Sequence, residues 1–319
     1  MQQLRDALEG RQIVIYFCAV ALAAVVALLV PATSALESLI NPALALMLYV
    51  TFLQVPMAEL RRAFVHFRFL AALLAANFTV VPLLVAGLIW LVPAEPMIRL
   101  GVLLVLLAPC IDYVVTFAHL GQADARLLLA ATPVLLFVQM VVLPGYLAAF
   151  LGSDAAQMVK AGPFLHAFLW LIVVPLLFAA ATRFWAARRR AGERVASLLG
   201  LIPVPATALV LFVVVASVVP QLGLAGGAAW RVVPVYAAFA VLAPSLGWTV
   251  ARLVRLEPAA ARAVAFSAGT RNSLVVLPLA LAVPGAMPVL PAVIVTQTLV
   301  ELVSELVYVR VISRLGRSR

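Results

Sequence analysis

Three groups of polar residues interrupt a strongly apolar sequence, and they hold the side chains best able to do chemistry. The first group places a thiol, a carboxylate and a hydroxyl near a proline. The second surrounds a guanidinium with small polar residues, and the third holds two carboxylates and an amide. In that order the members are Pro109, Cys110, Asp112 and Thr116; Thr270, Arg271, Asn272 and Ser273; Gln297, Glu301 and Glu305. This mixture predicts a binding site for a small solute. No spacing is typical of a catalytic triad, a phosphate-binding loop or a metal centre, so we expect no enzyme activity and no cofactor or metal.

Cys110 carries the soft ligand atom of the first group. It follows Pro109, whose ring removes a backbone N–H and leaves carbonyl oxygens without their helical partners. A thiol beside such carbonyls could act as a soft ligand for a substrate atom. The second cysteine of the sequence, Cys18, lies in an apolar stretch and is expected to be a small hydrophobic residue.

Gln297, Glu301 and Glu305 are separated by four residues, which puts all three on one stripe of a helix. Burial disfavours the charged form of a carboxyl group, so Glu301 would suit a proton carrier. Glu305 lies one turn further along, near the expected cytoplasmic end of the helix. There it could carry protons too, or could simply be solvated or paired with an arginine.

The composition indicates an integral membrane protein. The 319 residues are 66% hydrophobic and 11% charged, with a mean hydropathy of +1.18. Soluble chains are about 45–50% apolar and about 25% charged. These values exclude a soluble enzyme, a disulfide scaffold and a disordered protein, and the 16 Gly and 21 Pro indicate helices with interruptions.

Ten segments are apolar over about 20 residues, the length that a transmembrane helix needs. They are 12–30, 38–57, 68–91, 98–119, 127–151, 162–184, 196–219, 230–252, 260–284 and 287–310. Residues 1–11 are expected to form a cytoplasmic tail. The first span has no small-residue cleavage site, so we expect it to be retained and not to be a signal peptide.

The 22 basic residues are distributed unequally between the two sides of these spans. With the N-terminus in the cytoplasm, 18 of them fall on the cytoplasmic side and Arg271 falls within a span. Only Arg99, Lys160 and Arg231 fall outside. This bias predicts a multi-pass protein of the cell membrane with both termini in the cytoplasm. The net charge of +10 is therefore explained by topology, and no nucleic-acid partner is expected.

Ten spans with both ends on one side divide into two halves of opposite orientation, 12–152 and 161–312. Span 5 carries Pro133 and Gln139, and span 10 carries Pro291 and Gln297, each pair in the pattern Pro-x5-Gln. The polar groups also fall at corresponding places in spans 4 and 9. We therefore predict an all-α fold of two inverted five-helix repeats, in which helices 4 and 9 are broken and cross.

Asp112 and Arg271 lie on the two predicted broken spans and carry opposite charges. A lone charge at the middle of a bilayer costs about 3 kcal/mol on insertion scales. We therefore expect the two side chains to pair at the crossing. The pair would be either a permanent brace or part of a substrate-linked site.

The segment 108–124 reads Ala-Pro-Cys-Ile-Asp-Tyr-Val-Val-Thr-Phe-Ala-His-Leu-Gly-Gln-Ala-Asp and resembles the fourth-span motif of the arsenite efflux permeases. These permeases are the arsenical-resistance branch of the bile acid:sodium symporter superfamily. The segment 298–301, Thr-Leu-Val-Glu, looks like the Pro-Leu-Val-Glu of that branch, and 267–272 is similar to its broken ninth span. The resemblance extends over nearly the whole chain.

The resemblance implies a secondary transporter that exports arsenite, with an essential thiol at Cys110 and an essential carboxylate at Glu301. It also implies a moving core of spans 3–5 and 8–10 and a supporting panel of spans 1, 2, 6 and 7. Arsenous acid is uncharged at neutral pH, so export against a gradient needs coupling to a charged species, and we expect protons. The expected partners are thus a small inorganic or anionic substrate, protons and the lipid bilayer.

Some residues depart from the family pattern. Arg271 stands where the arsenite branch usually has Asn and the bile acid branch Gln, and Asp112 replaces a small residue. Ser267 stands where the bile acid branch has a sodium-binding Glu, so a fixed cation beside a missing carboxylate argues against those sodium sites. Two further hypotheses stay open. One is a symporter for a small organic anion bound by Arg271; the other is a membrane receptor or scaffold, which would not need buried ionisable residues.

Overall fold

The computed structural model describes residues 2–54, 66–111, 113–156, 166, 169–281, 283–286 and 288–316. Within these ranges all the regular secondary structure is helical. Six helices are long and apolar enough to cross a bilayer, and a seventh span results if the bent helix pair 190–199 and 203–218 counts as one. The chain is therefore a multi-pass membrane protein.

The first half of the described chain contains seven α-helices. They are α1 (Gln2–Leu29), α2 (Ile40–Gln54), α3 (Phe67–Ala75), α4 (Val81–Leu88), α5 (Pro96–Leu106), α6 (Val114–Leu120) and α7 (Ala125–Ala156). A 3₁₀ helix, Pro31–Leu39, precedes α2. A short π-helix, Ala76–Val80, joins α3 to α4, so that 67–91 is one continuous span.

The second half of the described chain also contains seven α-helices. They are α8 (Val174–Ala186), α9 (Arg190–Leu199), α10 (Pro203–Val218), α11 (Leu222–Leu253), α12 (Pro258–Gly269), α13 (Ser273–Leu281) and α14 (Val289–Val311). The helices at predicted spans 4 and 9 are both interrupted, between α5 and α6 and between α12 and α13. Predicted spans 2 and 6 extend into residues 55–57 and 162–165, which lie outside the described ranges.

Some predicted boundaries are wrong for physical reasons. The predicted span 196–219 combines two helices, because α9 ends at Leu199 and α10 begins at Pro203 after a bend of 44°. Pro203 cannot extend α9, because proline has no N–H to donate and its ring clashes with the carbonyl four residues earlier. In addition, α9 is amphipathic, with Arg190 and Arg194 on its polar face. In addition, α1 begins at Gln2, so the described part of the expected tail is the first turns of a helix.

The described helices pack in two groups. In the first group, α1 packs along α10, and α2 packs against α8 and α10. In the second group, α11 packs along α12 and α14, while α5 contacts α14 and both α6 and α7 contact α12. Contacts of α10 with α14 and of α2 with α13 join the groups. The second group carries both interruptions and all three polar groups identified in the sequence.

Gly247 allows the close approach of α11 to α12. A Cβ atom at this position would lie 2.6 Å from the Cβ of Ala268 and 3.0 Å from the carbonyl oxygen of Val264. The absence of a side chain therefore lets α11 pack directly on the last turns of α12, which end at the interruption.

Candidate functional site

The two interruptions pair with each other through their backbones. Pro109 and Arg271 form an isolated antiparallel bridge. The N–H of Cys110 donates to the carbonyl of Thr270 at 3.1 Å, and the N–H of Asn272 donates to the carbonyl of Ala108 at 2.7 Å. Backbone groups at membrane depth must find protein partners. Each interruption therefore supplies backbone partners to the other, and we call the point where these two interrupted segments meet the crossing.

Arg271 lies at the centre of this crossing and is completely buried. Its Nη2 donates to Oδ1 of Asn77 at 2.7 Å. The same nitrogen donates to the carbonyl oxygens of Ser267 and Ala268 at 2.5 and 2.7 Å. Its Nη1 donates to the carbonyl oxygen of Leu106 at 3.4 Å. The guanidinium is thus held by four uncharged oxygens.

The predicted pairing of Arg271 with Asp112 stays a prediction. Asp112, its expected partner, lies outside the described residues. Among those that the structure describes, no carboxylate is within ion-pair distance of the guanidinium. The ring of Phe239 lies 5.5 Å from its Cζ, a cation–π distance. The cation is therefore stabilised by oxygen dipoles and an aromatic face in the described part of the site.

Asn77 belongs to the π-helix between α3 and α4. Besides accepting from Arg271, its side-chain amide donates to the carbonyl of Leu73 and to Oγ of Ser267, both at 3.0 Å. The π-helix widens one turn of the span, a feature often found at functional sites. Asn77 thereby ties the span 67–91 to the end of α12.

Glu301 of α14 accepts hydrogen bonds from three donors and is 3% exposed. Its Oε2 accepts from the backbone N–H of Arg271 and from Nε2 of Gln297, each at 2.6 Å. Its Oε1 accepts from the hydroxyl of Tyr113, which also lies 3.4 Å from the carbonyl oxygen of Arg271. An ionised carboxylate only accepts hydrogen bonds, so three donors fit the charged form.

Glu305, one turn further along α14, has a different environment. It is completely buried, so the expectation that it could be solvated at the cytoplasmic end is wrong. Its Oε1 lies 2.5 Å from the hydroxyl of Thr270, and that hydroxyl lies 2.7 Å from the carbonyl oxygen of Phe266. Its Oε2 has no hydrogen-bond partner among the described residues. The single hydroxyl proton of Thr270 cannot serve both acceptors fully, which fits a protonated Glu305 that donates to Thr270.

The other residues singled out in the sequence lie around this crossing or at its edge. Cys110 and Ser273 are buried, and the Ser273 hydroxyl accepts from Thr298 at 2.8 Å. Asn272 Oδ1 accepts from the first turn of α13 at 3.2 Å. Thr116 is half-buried on α6. Gln139 is buried on α7, and its amide has no hydrogen-bond partner among the described residues.

Two cavities lie beside α14, and one of them is lined by Glu301. A small one of about 10 Å³ is lined by Glu301, Gln297, Gly269 and Tyr308. A large groove of about 960 Å³ lies between α11 and α14 and is lined mainly by apolar side chains, with Leu28 of α1 at its edge. Tyr308 lines both cavities, and its hydroxyl donates to the carbonyl of Ala240 at 2.5 Å. This tyrosine therefore lies between the groove and the carboxylates.

Three residues of the site, Asn77, Tyr113 and Tyr308, are not among those predicted from the sequence. Asn77 could have been found, because an amide in the middle of an apolar span is costly unless it has partners. Tyr113 lies within the first group, directly after Asp112. Tyr308 lies three residues after Glu305 and seven after Glu301, so the helical period places it on the same face of α14, where it packs against Gly269.

These features describe a multi-pass membrane protein in which two interrupted helical segments meet at a buried polar site. A sequence model of the Sodium Bile acid symporter family matches residues 41–224, more than half of the chain. The chain belongs to this family. The match includes the α5–α6 interruption and ends before α12, so Arg271 and Glu301 lie beyond it. A comparison with curated proteins yields no match.

Proposed function

We propose that the protein is a secondary transporter that exports arsenite in exchange for protons, with its substrate site at the helix crossing. The observation that carries this proposal is the position of Cys110. Its thiol is buried and its backbone N–H is part of the bridge that joins the two broken helices. A soft ligand is thus held in the group of helices that contains the buried carboxylates.

Thiol chemistry suits arsenite. Arsenous acid carries three hydroxyl groups on a soft arsenic atom, and soft metalloids favour sulfur ligands. An As–S bond to Cys110 would replace one As–O bond, and the departing hydroxide would leave as water with the thiol proton. Reversal of this step by water would release the substrate. If arsenous acid only contacts the Cys110 thiol without forming a bond, it would occupy the same position.

Proton coupling is assigned to Glu301 and Glu305, with different roles. Glu301 accepts hydrogen bonds from three donors and carries the negative charge near Arg271. The surroundings of Glu305 fit its protonated form, because Thr270 already donates to the carbonyl of Phe266 and the second oxygen of Glu305 has no partner among the described residues. Glu305 is therefore the better candidate for the group that takes up and releases the proton. Thr270 links it to the crossing.

The alternation is proposed to follow the inverted-repeat architecture of ten spans. In this scheme the helices of spans 3–5 and 8–10 move as a core against the panel of spans 1, 2, 6 and 7. The packing of the described helices in two groups, with fewer contacts between them, supports this division. The crossing lies within the core, so the substrate site would move with it.

Everted membrane vesicles with an acidic lumen test the proposal. Vesicles that contain the protein should accumulate arsenite, and a protonophore should abolish the accumulation. Cys110→Ser should reduce uptake to the level of vesicles without the protein. Cys18→Ser is the matched control, because Cys18 is exposed on α1, and it should leave uptake unchanged. Uptake that is indifferent to the protonophore, or to Cys110→Ser, would contradict proton-coupled arsenite export.

Glu305→Gln separates coupling from substrate movement. The amide resembles the protonated carboxyl and retains a hydrogen bond to Thr270, so the variant should fold. It should lose accumulation driven by the pH gradient and retain exchange of internal for external arsenite. If Glu305→Gln still accumulates arsenite against a gradient, the proton is carried elsewhere.

A second candidate is a symporter for an amphipathic organic anion, and the large apolar groove favours it. A groove of about 960 Å³ is far larger than arsenite needs and could hold a hydrophobic ring system. The guanidinium of Arg271 already has four oxygen partners, which speaks against its use as an anion binder in this conformation. Uptake of taurocholate by the same vesicles, unaffected by Cys110→Ser, would favour this candidate over arsenite export.

A further inference from the structure

The surroundings of the Arg271 guanidinium consist of oxygens that are typical ligands of a small cation. Three of the four are main-chain carbonyl oxygens and the fourth is the amide oxygen of Asn77. Carbonyl and amide oxygens replace the hydration shell of hard cations in ion-binding proteins. Guanidinium groups more often bind planar carboxylates in a bidentate manner.

The positions of these carbonyls point to a cation as well. Leu106 is the last residue of α5, and Ser267 and Ala268 lie in the last turn of α12. The final carbonyls of a helix have no partner within the helix, and the helix dipole makes that end partly negative. Two helices that end at membrane depth therefore direct their negative ends at one point. Broken transporter helices use this arrangement to hold ions.

The oxygens around the guanidinium are arranged about its positive charge and do not match its individual N–H groups one to one. Nη2 carries two hydrogens, yet three oxygens lie within 2.7 Å of it. The Nε of the same side chain has no hydrogen-bond partner among the described residues. The oxygens thus converge on the position of the positive charge, and some donor capacity of the guanidinium is unused.

We propose that the Arg271 guanidinium is a tethered substitute for a bound monovalent cation, so that this transporter does not bind sodium at the helix crossing. The family description names sodium, and a free sodium ion and the guanidinium cannot share these four oxygens. The covalent cation would hold the ends of α5 and α12 together at all times. Because sodium would not bind at this position, a sodium gradient could not drive transport through this site. This inference does not depend on which solute is transported.

Thermal unfolding of the purified, detergent-solubilised protein tests the inference without any transport assay. The unfolding midpoint is measured in sodium chloride and in choline chloride at equal ionic strength. The wild type should unfold at the same temperature in both salts. Arg271→Ala should be destabilised in choline and recover by about 3 °C or more in sodium, because an ion that binds only the folded state stabilises it.

Three variants serve as controls. Arg271→Lys keeps the charge and should remain indifferent to sodium. Arg231→Ala removes an exposed arginine paired with Glu95 and should not create a sodium response. Combining Arg271→Ala with Asn77→Ala removes one of the four oxygens and should raise the sodium concentration needed for half-maximal recovery several-fold.

Two results would overturn the inference. One is an Arg271→Ala protein whose midpoint is the same in sodium and choline, since the vacated oxygens would then not bind the ion. The other is a sodium-specific rise of the wild-type midpoint that Arg271→Lys retains, since sodium would then bind elsewhere in the presence of the fixed charge. If Arg271→Ala does not fold, Arg271→Ser serves the same comparison, because its short polar side chain carries no charge and leaves the four oxygens vacant.

Discussion

Replacing Glu301 by Gln or by Leu should have very different effects on stability, although both changes remove the same charge. In Glu301→Gln, the amide oxygen can take the position of Oε2 and accept from the Arg271 N–H and from Gln297. The new NH₂ group then faces the Tyr113 hydroxyl. This hydroxyl can rotate to accept and can donate instead to the carbonyl of Arg271. Every described hydrogen bond of the site therefore has a replacement.

Glu301→Leu offers no such replacement. The Arg271 N–H and Gln297 Nε2 lose their acceptor in a buried site, and each unsatisfied donor costs about 1–3 kcal/mol. The loss of negative charge near Arg271 is common to both variants and cancels in the comparison. After allowance for the apolar gain of the leucine, the Leu variant should be about 2–4 kcal/mol less stable than the Gln variant.

The thiol of Cys110 can serve as a probe of unfolding at this site. In a Cys18→Ser background Cys110 is the single remaining thiol, and it is buried at the crossing. A thiol-reactive fluorophore added during a temperature ramp therefore reports the opening of this site. The Leu variant should label at a temperature several degrees below that of the Gln variant. Equal labelling temperatures would refute the claim that the lost hydrogen bonds at Glu301 destabilise the Leu variant.

Two smaller predictions concern packing and surface charge. Gly247→Ala should destabilise the protein by about 1–3 kcal/mol, because its Cβ would lie 2.6 Å from that of Ala268, and a lower unfolding midpoint would check this. Gly227→Ala in the same helix has nothing within 4 Å of the added Cβ and should not lower the midpoint, so equal losses in both would contradict the packing argument. Arg231→Ala breaks an ion pair with Glu95 whose side chains are 58% and 56% exposed, and it should cost at most about 1 kcal/mol in the same measurement.

The interruptions of spans 4 and 9 could be predicted because their cause is local. Pro109 and the polar run at Thr270 and Asn272 cannot form uninterrupted apolar helices. In the structure, α5 ends at Leu106, three residues before Pro109, and α12 ends at Gly269, directly before Thr270. The four-residue spacing of Gln297, Glu301 and Glu305 likewise places these residues on one helix, α14. Both predictions needed only the chemistry of the backbone and the period of the helix.

The partners of the buried charges could not be predicted in the same way. The predicted pairing of Arg271 with Asp112, which stays a prediction, rests on charge, and charge is visible in a sequence. The free carbonyls at helix ends are not visible in this way. The observed partners, Ser267 and Ala268 among them, use main-chain oxygens whose availability depends on where α12 ends. From its place along the span, Glu305 could carry protons, be solvated or be paired with an arginine. Its complete burial follows from helix packing, which the sequence does not encode locally.

Proton movement coupled to arsenite in sodium-free proteoliposomes is the most direct test of the proposed exchange. The purified protein is reconstituted around a pH-sensitive dye, and arsenite is added outside. We predict that arsenite entry drives protons out and makes the lumen alkaline with the wild type and with Cys18→Ser. Cys110→Ser and Glu305→Gln should give no such change. Arsenite entry without a change of luminal pH, or a change that appears only when sodium is added, would contradict the account.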